Sequence, residues 1–109
     1  MVLKITLESN IYSVEIFFDG LPLLQQLSLE GLRINTWGSV QEKYNDKYFF
    51  KNKFFFEVKN SKLSRLLEEE SSGFFDENFD NSTHYSIVTS EEFIDIIATF
   101  EPSVKVTKL

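Results

Sequence analysis

Alternation of apolar and polar positions opens the chain. Leu3, Ile5 and Leu7 share one face, and Tyr12, Val14, Ile16 and Phe18 share another, with Glu8, Ser9 and Asn10 between the two runs. Two such runs around a short polar turn predict a β-hairpin. Asp19-Gly20 closes the second strand, and Pro22 cannot continue it because proline lacks a ladder donor. Pro22 to Gln26 has room for a single helical turn. From Leu27 the alternation resumes at Leu29 and slips by one residue to Leu32 and Ile34, with Gly31 at the slip. A glycine at a phase shift predicts one bent strand from about Leu27 to Trp37, bulged at Gly31, with a tight turn at Glu30-Gly31 as the alternative.

Gly38 to Lys47 is polar and reads as a loop. Tyr48 to Phe50 and Phe54 to Lys59 are two aromatic, strand-prone pieces around Lys51-Asn52-Lys53, with Phe54, Phe56 and Val58 facing one way and Phe55, Glu57 and Lys59 the other. Asn60 or Ser61 stands where a helix carrying Leu63, Leu66 and Leu67 needs its N-cap, and Ser71-Ser72-Gly73 suits the end of that helix. Phe74 to Thr83 reads as a loop rich in Asp, Asn and Phe. The clearest pattern is the closing one, His84 to Val106. Tyr85 and Ile87 alternate with Ser86 and Val88; Thr89 stands three residues before Glu92, the capping-box spacing. Phe93, Ile96, Ile97 and Phe100 then recur at helical spacing, Pro102 follows, and Val104 and Val106 alternate with Lys105 and Thr107. That predicts strand, capped helix and strand.

Strands first, helices late and a strand-helix-strand close argue for an α+β fold, a mostly antiparallel sheet of about five to six strands with two helices packed on one face. At 109 residues the chain has the size of one ordinary domain, so residues 1–109 are expected to form a single core. Apolar content of 42% with 26% charged residues is that of a soluble globular protein, neither disordered nor membrane-embedded. There is no cysteine, which excludes disulfides, thiolate metal sites and cysteine nucleophiles. The amino-terminal MVLKITLE alternates from its start, without the apolar run of a secretory signal or membrane span, and a cytoplasmic location is the expectation. Most of the twelve phenylalanines are expected in the core, since abundant Lys, Asn, Ile and Phe is also what an AT-rich coding sequence produces.

Charge divides the chain more sharply than its net of −6 suggests. Gln41 to Arg65 holds seven bases and three acids, whereas Leu66 to Val104 holds ten acids and no Lys or Arg. Glu68, Glu69 and Glu70 fall in the last turns of a helix whose first turns carry Lys62 and Arg65. This opposes the helix dipole, at about 0.3–1 kcal/mol for each charge near a terminus. A local arrangement that works against folding marks a place with another task. The adjoining Phe74, Phe75 and Phe79 sit among Asp76, Glu77 and Asp80. Aromatic anchors ringed by carboxylates suit docking onto a basic protein surface, where aromatics supply buried contact and charge supplies steering. The bland alternative is a solvated acidic face that aids solubility.

Other chemistry finds less support. Asp76, Asn78 and Asp80 alternate like the start of a calcium loop, but Ile87 stands where the bidentate glutamate belongs. His84, the only histidine, has no neighbour in sequence that names a nucleophile or an oxyanion hole, and reads as a hydrogen-bonding residue at a strand entry. Gly20, Gly31, Gly38 and Gly73 are too scattered for a phosphate-binding loop. Carboxylate pairs for glycoside chemistry depend on a separation that spacing along the chain does not supply. The basic, aromatic stretch Lys43 to Lys62 has the flavour of a single-strand nucleic-acid platform, but its acidic neighbour would repel phosphate. No cofactor, metal, membrane or direct nucleic-acid contact is expected.

In kind, a small, acidic, cysteine-free, aromatic-rich α+β chain ending THYSIVTSEEFIDIIATFEPSVKV resembles the immunity proteins that protect bacteria from contact-dependent growth inhibition and related polymorphic toxins. The resemblance implies a non-enzymatic binder that covers the active site of one cognate toxin domain, often a nuclease with a basic cleft. The charge argument, not a family motif, assigns that contact to Glu68, Glu69, Glu70, Phe74, Phe75, Asp76, Glu77, Phe79 and Asp80. A nucleic-acid mimic, a regulatory or structural interaction module, and an enzyme are the competing classes.

Overall fold

The computed structural model describes residues 3–46 and 53–109. Strands β1 (Leu3–Glu8) and β2 (Tyr12–Phe18) form the expected hairpin, and β7 (Ser103–Lys108) pairs with β2 to complete an antiparallel sheet of order β1-β2-β7. A second antiparallel sheet has the order β3-β6-β5-β4, from β3 (Leu24–Leu29), β4 (Phe55–Val58), β5 (Thr83–Val88) and β6 (Glu92–Ala98). Three helices complete the described residues: α1 (Ile34–Lys43), entered through a 3-10 turn over Glu30–Arg33, then α2 (Lys62–Glu70) and α3 (Phe74–Phe79). The fold is α+β, with seven strands in two antiparallel sheets among the described residues, where alternation alone predicted a single sheet.

The main core lies between the sheets. Ile16 and Phe18 of β2 pack with Tyr85, Ile87, Ile96 and Ala98 of the four-stranded sheet, and Leu3, Ile5, Leu7 and Val14 close over them. Phe18 meets Tyr85 edge-on at 5.6 Å between ring centroids, a favoured aromatic geometry. The opposite face of the four-stranded sheet faces the helices: Trp37 of α1 meets Phe93 of β6 edge-on at 6.1 Å, and Ser61, the N-cap of α2, reaches His84 of β5. The four-stranded sheet is thus the middle of three layers.

That central position explains the largest departure from expectation. Residues 92–98 are strand, not helix. In the β5–β6 register Ile96 lies opposite Tyr85 and Ile94 opposite Ile87 on the inter-sheet face, while Phe93, Asp95 and Ile97 lie opposite Val88, Ser86 and His84 on the helix face. A strand buried on both faces needs apolar residues at nearly every position, and such a run satisfies a helical period by accident. The Thr89–Glu92 spacing is real but serves a tight turn. Thr89 Oγ1 accepts the Glu92 amide at 3.0 Å, and the Thr89 amide donates to the Glu92 carbonyl at 2.9 Å, joining β5 to β6.

Three further expectations change. The phase slip at Gly31 marks the end of β3 and the entry to α1, not a bulge, and α1 carries Gly38, Thr36 and Val40, residues of modest helix propensity. Its contact through Trp37 is tertiary, which local propensity does not register. Phe55, expected to point outward with Glu57 and Lys59, faces the core, stacked on Tyr85 at 5.8 Å between centroids, because β4 pairs Phe55 with Ile87. The strand expected at Tyr48 to Phe50 lies outside the described residues. Residues 74–79 of the expected loop form α3.

Candidate functional site

Helices α2 and α3 form a corner that caps itself. Ser61 has extended backbone and its Oγ accepts the Ser64 amide at 3.0 Å, the N-cap bond that starts α2. At the other end, the Gly73 amide donates to the Glu68 carbonyl and the Ser72 amide to the Glu69 carbonyl, both at 3.2 Å. This is the Schellman arrangement. Ser72 takes the left-handed position with φ of 51°, followed by Gly73 at φ of 93°. Left-handed backbone costs a non-glycine residue about 1 kcal/mol, so Ser72→Gly is expected to stabilise the fold by up to that amount, less glycine's extra unfolded freedom. Thermal unfolding midpoints of the two proteins measure it.

The first amides of α3 find their partners on α2. Phe75 N–H donates to Ser71 Oγ at 2.9 Å, Asp76 N–H to Glu68 Oε2 at 2.8 Å, and Phe74 N–H to the Ser71 carbonyl at 3.2 Å. Glu68 is therefore a capping residue within the corner. Its carboxyl is held above the ordinary glutamate range, first by hydrogen bonding with the Asp76 carboxyl, then by desolvation and the negative charges of Asp76 and Glu77, against the lowering effect of the Asp76 amide.

Around this corner the structure gathers the acidic and aromatic residues singled out in the sequence, with different roles. Glu69, Glu70, Asp76, Glu77 and Asp80 are exposed, and among the described residues none of them pairs with a cation. Phe74 is 56% exposed and rests edge-on against Phe79 at 5.9 Å. Phe75 is only 7% exposed, with Phe79 half-buried beside it. Phe75 is thus an anchor for the corner and drops out of the contact surface, while Phe74 and part of Phe79 remain on it. The result is a ridge with an aromatic crest flanked by carboxylates.

A buried polar chain holds the ridge to the sheet. Ser61 Oγ lies 2.6 Å from His84 Nδ1, His84 Nε2 lies 2.8 Å from Asp95 Oδ1, and Arg33 Nη1 donates to Asp95 Oδ2 at 2.7 Å. An ionised Asp95 only accepts, so His84 donates from Nε2. In the neutral ring, Ser61, already an acceptor from Ser64, donates to Nδ1. Arg33 also lies over the Phe93 ring, 4.7 Å from its centroid. Burial pushes the Asp95 carboxyl upward, but the hydrogen bonds from His84 and Arg33, with the positive charge of Arg33, outweigh it and hold the group below the ordinary aspartate range. Three elements meet in this chain: the entry to α1, the start of α2, and the middle of the β5–β6 pair.

The chain resembles a serine-histidine-aspartate relay by composition, yet each group has a structural duty. Ser61 caps α2, and the charge of Asp95 is matched by Arg33. Asp95, one of the ten acids between Leu66 and Val104, is therefore buried and paired, not part of an exposed acidic face. The sequence signal was present: one acid inside the apolar run Phe93 to Ala98 must find a cation once that run is buried. Beside this chain, between α1, α2 and the sheet, lies a cavity of about 580 Å³. Among the described residues no group of three or more His, Asp or Glu side chains is placed to hold a metal ion, and no helix is long and apolar enough to cross a membrane. Compared with known proteins, the chain matches no family, no curated protein and no solved structure.

Proposed function

We propose that this chain is a protein-binding inhibitor of the immunity-protein kind, acting in the bacterial cytoplasm on one cognate toxin domain, most simply a nuclease. The observation that carries the reading is the α2–α3 ridge: exposed Phe74 bordered by Glu69, Glu70, Asp76, Glu77 and Asp80, none paired with a cation among the described residues. Carboxylates left unmatched by their own fold keep their charge available to a partner, and a half-exposed aromatic supplies the apolar contact that charge alone lacks. The cationic clefts in which nucleases hold phosphate have the complementary character.

Rigidity supports the same reading. The ridge is capped by its own backbone and tied to the sheet through Ser61 and His84, so little order remains to be gained on docking, which favours affinity. The test is capture from the native host's lysate by the tagged protein, followed by assay of the captured protein. One stoichiometric basic partner whose toxic activity is quenched by added protein supports the proposal. Capture of several unrelated DNA-binding proteins, displaced by DNA, would replace it with a nucleic-acid mimic.

A further inference from the structure

We infer that the cavity between α1, α2 and the four-stranded sheet is a binding site for a small organic oxyanion, a carboxylate or phosphate carried on an apolar stem. The cavity, at about 580 Å³, has the size of ordinary small-ligand pockets. Its construction names the chemistry. Arg33 lines it and is held in place by Asp95 at 2.7 Å and by the face of Phe93 at 4.7 Å. A guanidinium carries five N–H donors. Among the described residues Asp95 accepts from Nη1, and Nε and Nη2 have no acceptor. A planar, pre-oriented fork on the cavity wall, with donors to spare, matches the two oxygens of a carboxylate or phosphate.

Asp95 neutralises Arg33, so a second cation must supply the net attraction. Lys62, also on the cavity wall and without an ion-pair partner among the described residues, is that cation. Asp95 also borders the cavity, but it is 1% exposed and its two oxygens are taken by His84 and Arg33, so its charge is spent within the fold. Val40, Val58, Leu63 and Leu66 give the cavity an apolar stretch of wall beside polar side chains such as Asn35 and Ser39, and that stretch suits a hydrocarbon stem. The site stands apart from the acidic ridge, so this inference does not rest on the protein-binding reading.

The test is an amide-detected NMR titration of the full chain at low salt with benzoate and phenyl phosphate, and with benzyl alcohol as the neutral control. Expected are saturable millimolar or tighter shifts at Val58, Asn60, Lys62 and the Arg33 Nε–H for both anions, with no saturation by the alcohol. Lys62→Gln, which removes an exposed charge that nothing in the described fold uses, should weaken the anions about fivefold or more. Arg33→Lys keeps a cation beside Asp95 but loses the fork, and should weaken binding further while the spectrum stays folded. Equal binding of the alcohol and the anions, shifts away from these residues, or anion affinity unchanged in Lys62→Gln would overturn the assignment.

Discussion

Glu69→Lys/Glu70→Lys is expected to abolish partner capture while raising thermal stability. Both residues lie in the last turn of α2, where the helix C-terminus carries partial negative charge, and no basic residue sits there to offset it. Each reversal replaces an unfavourable charge with a favourable one, about 0.3–1 kcal/mol apiece at low ionic strength. The fold gains from the change. A partner with a basic docking surface loses steering and meets like charge, which together are expected to weaken binding by about a hundredfold or more. Glu68 is left in place because its carboxylate caps α3. Phe74→Ala tests the aromatic crest separately: a docking anchor costs about 2 kcal/mol of binding or more when truncated, whereas an exposed side chain with no partner costs the fold little. Stability by thermal unfolding and affinity by calorimetry against the captured partner separate the outcomes. Higher stability with undiminished affinity in the double reversal would reduce the ridge to a solubilising face.

Arg33→Met is expected to cost about 3–5 kcal/mol of folding stability, because it leaves the Asp95 carboxylate buried without its cation. The Arg33 side chain is three-quarters buried and that of Asp95 is 1% exposed, so solvent screens this pair little. Arg33→Met/Asp95→Leu removes both charges and should recover part of the loss, the remainder reflecting His84 without its acceptor. The pH dependence follows with a defined sign. In the native protein Asp95 is held below its ordinary range, so the unfolded state binds its proton first. The stabilisation is complete above the unfolded-state pKa and is lost as pH falls through the lower folded value. Without Arg33 the largest counter-charge is gone, burial dominates, and the folded pKa moves up. Protonation then favours the native state, and the acid limb of the variant should be flatter or reversed. Urea unfolding of both proteins from neutral pH down through the carboxylate range reads both effects, and parallel acid limbs would contradict this account of the pair.

Legibility varied with how local each determinant was. The β1–β2 hairpin, β5, β7 and the Ser61-capped α2 ending at Ser71-Ser72-Gly73 were all readable, since each depends on alternation, a cap or a turn residue within its own segment. The acidic and aromatic composition of the ridge was readable too, but not that Phe75 turns inward and Glu68 is spent on α3. The polar chain was invisible: Arg33 and Asp95 are 62 residues apart, and Asp95 fell on the solvent side of a helix that does not form.

What the sequence by itself determined is the β1–β2 hairpin, β5 and β7, where α2 begins and ends, and that negative charge concentrates after Leu66 with Phe74, Phe75 and Phe79 among the acids. Tertiary structure decided the rest. Whether Phe93 to Ala98 became helix or strand depended on a second sheet and a helical layer burying both its faces. Propensity differences of a few tenths of a kcal/mol per residue yield to the about 1.5–3 kcal/mol released for each large apolar side chain so buried. The same burial forced Asp95 to take Arg33 as its cation and His84 as its donor, and thereby placed α2, with its ridge, against the sheet.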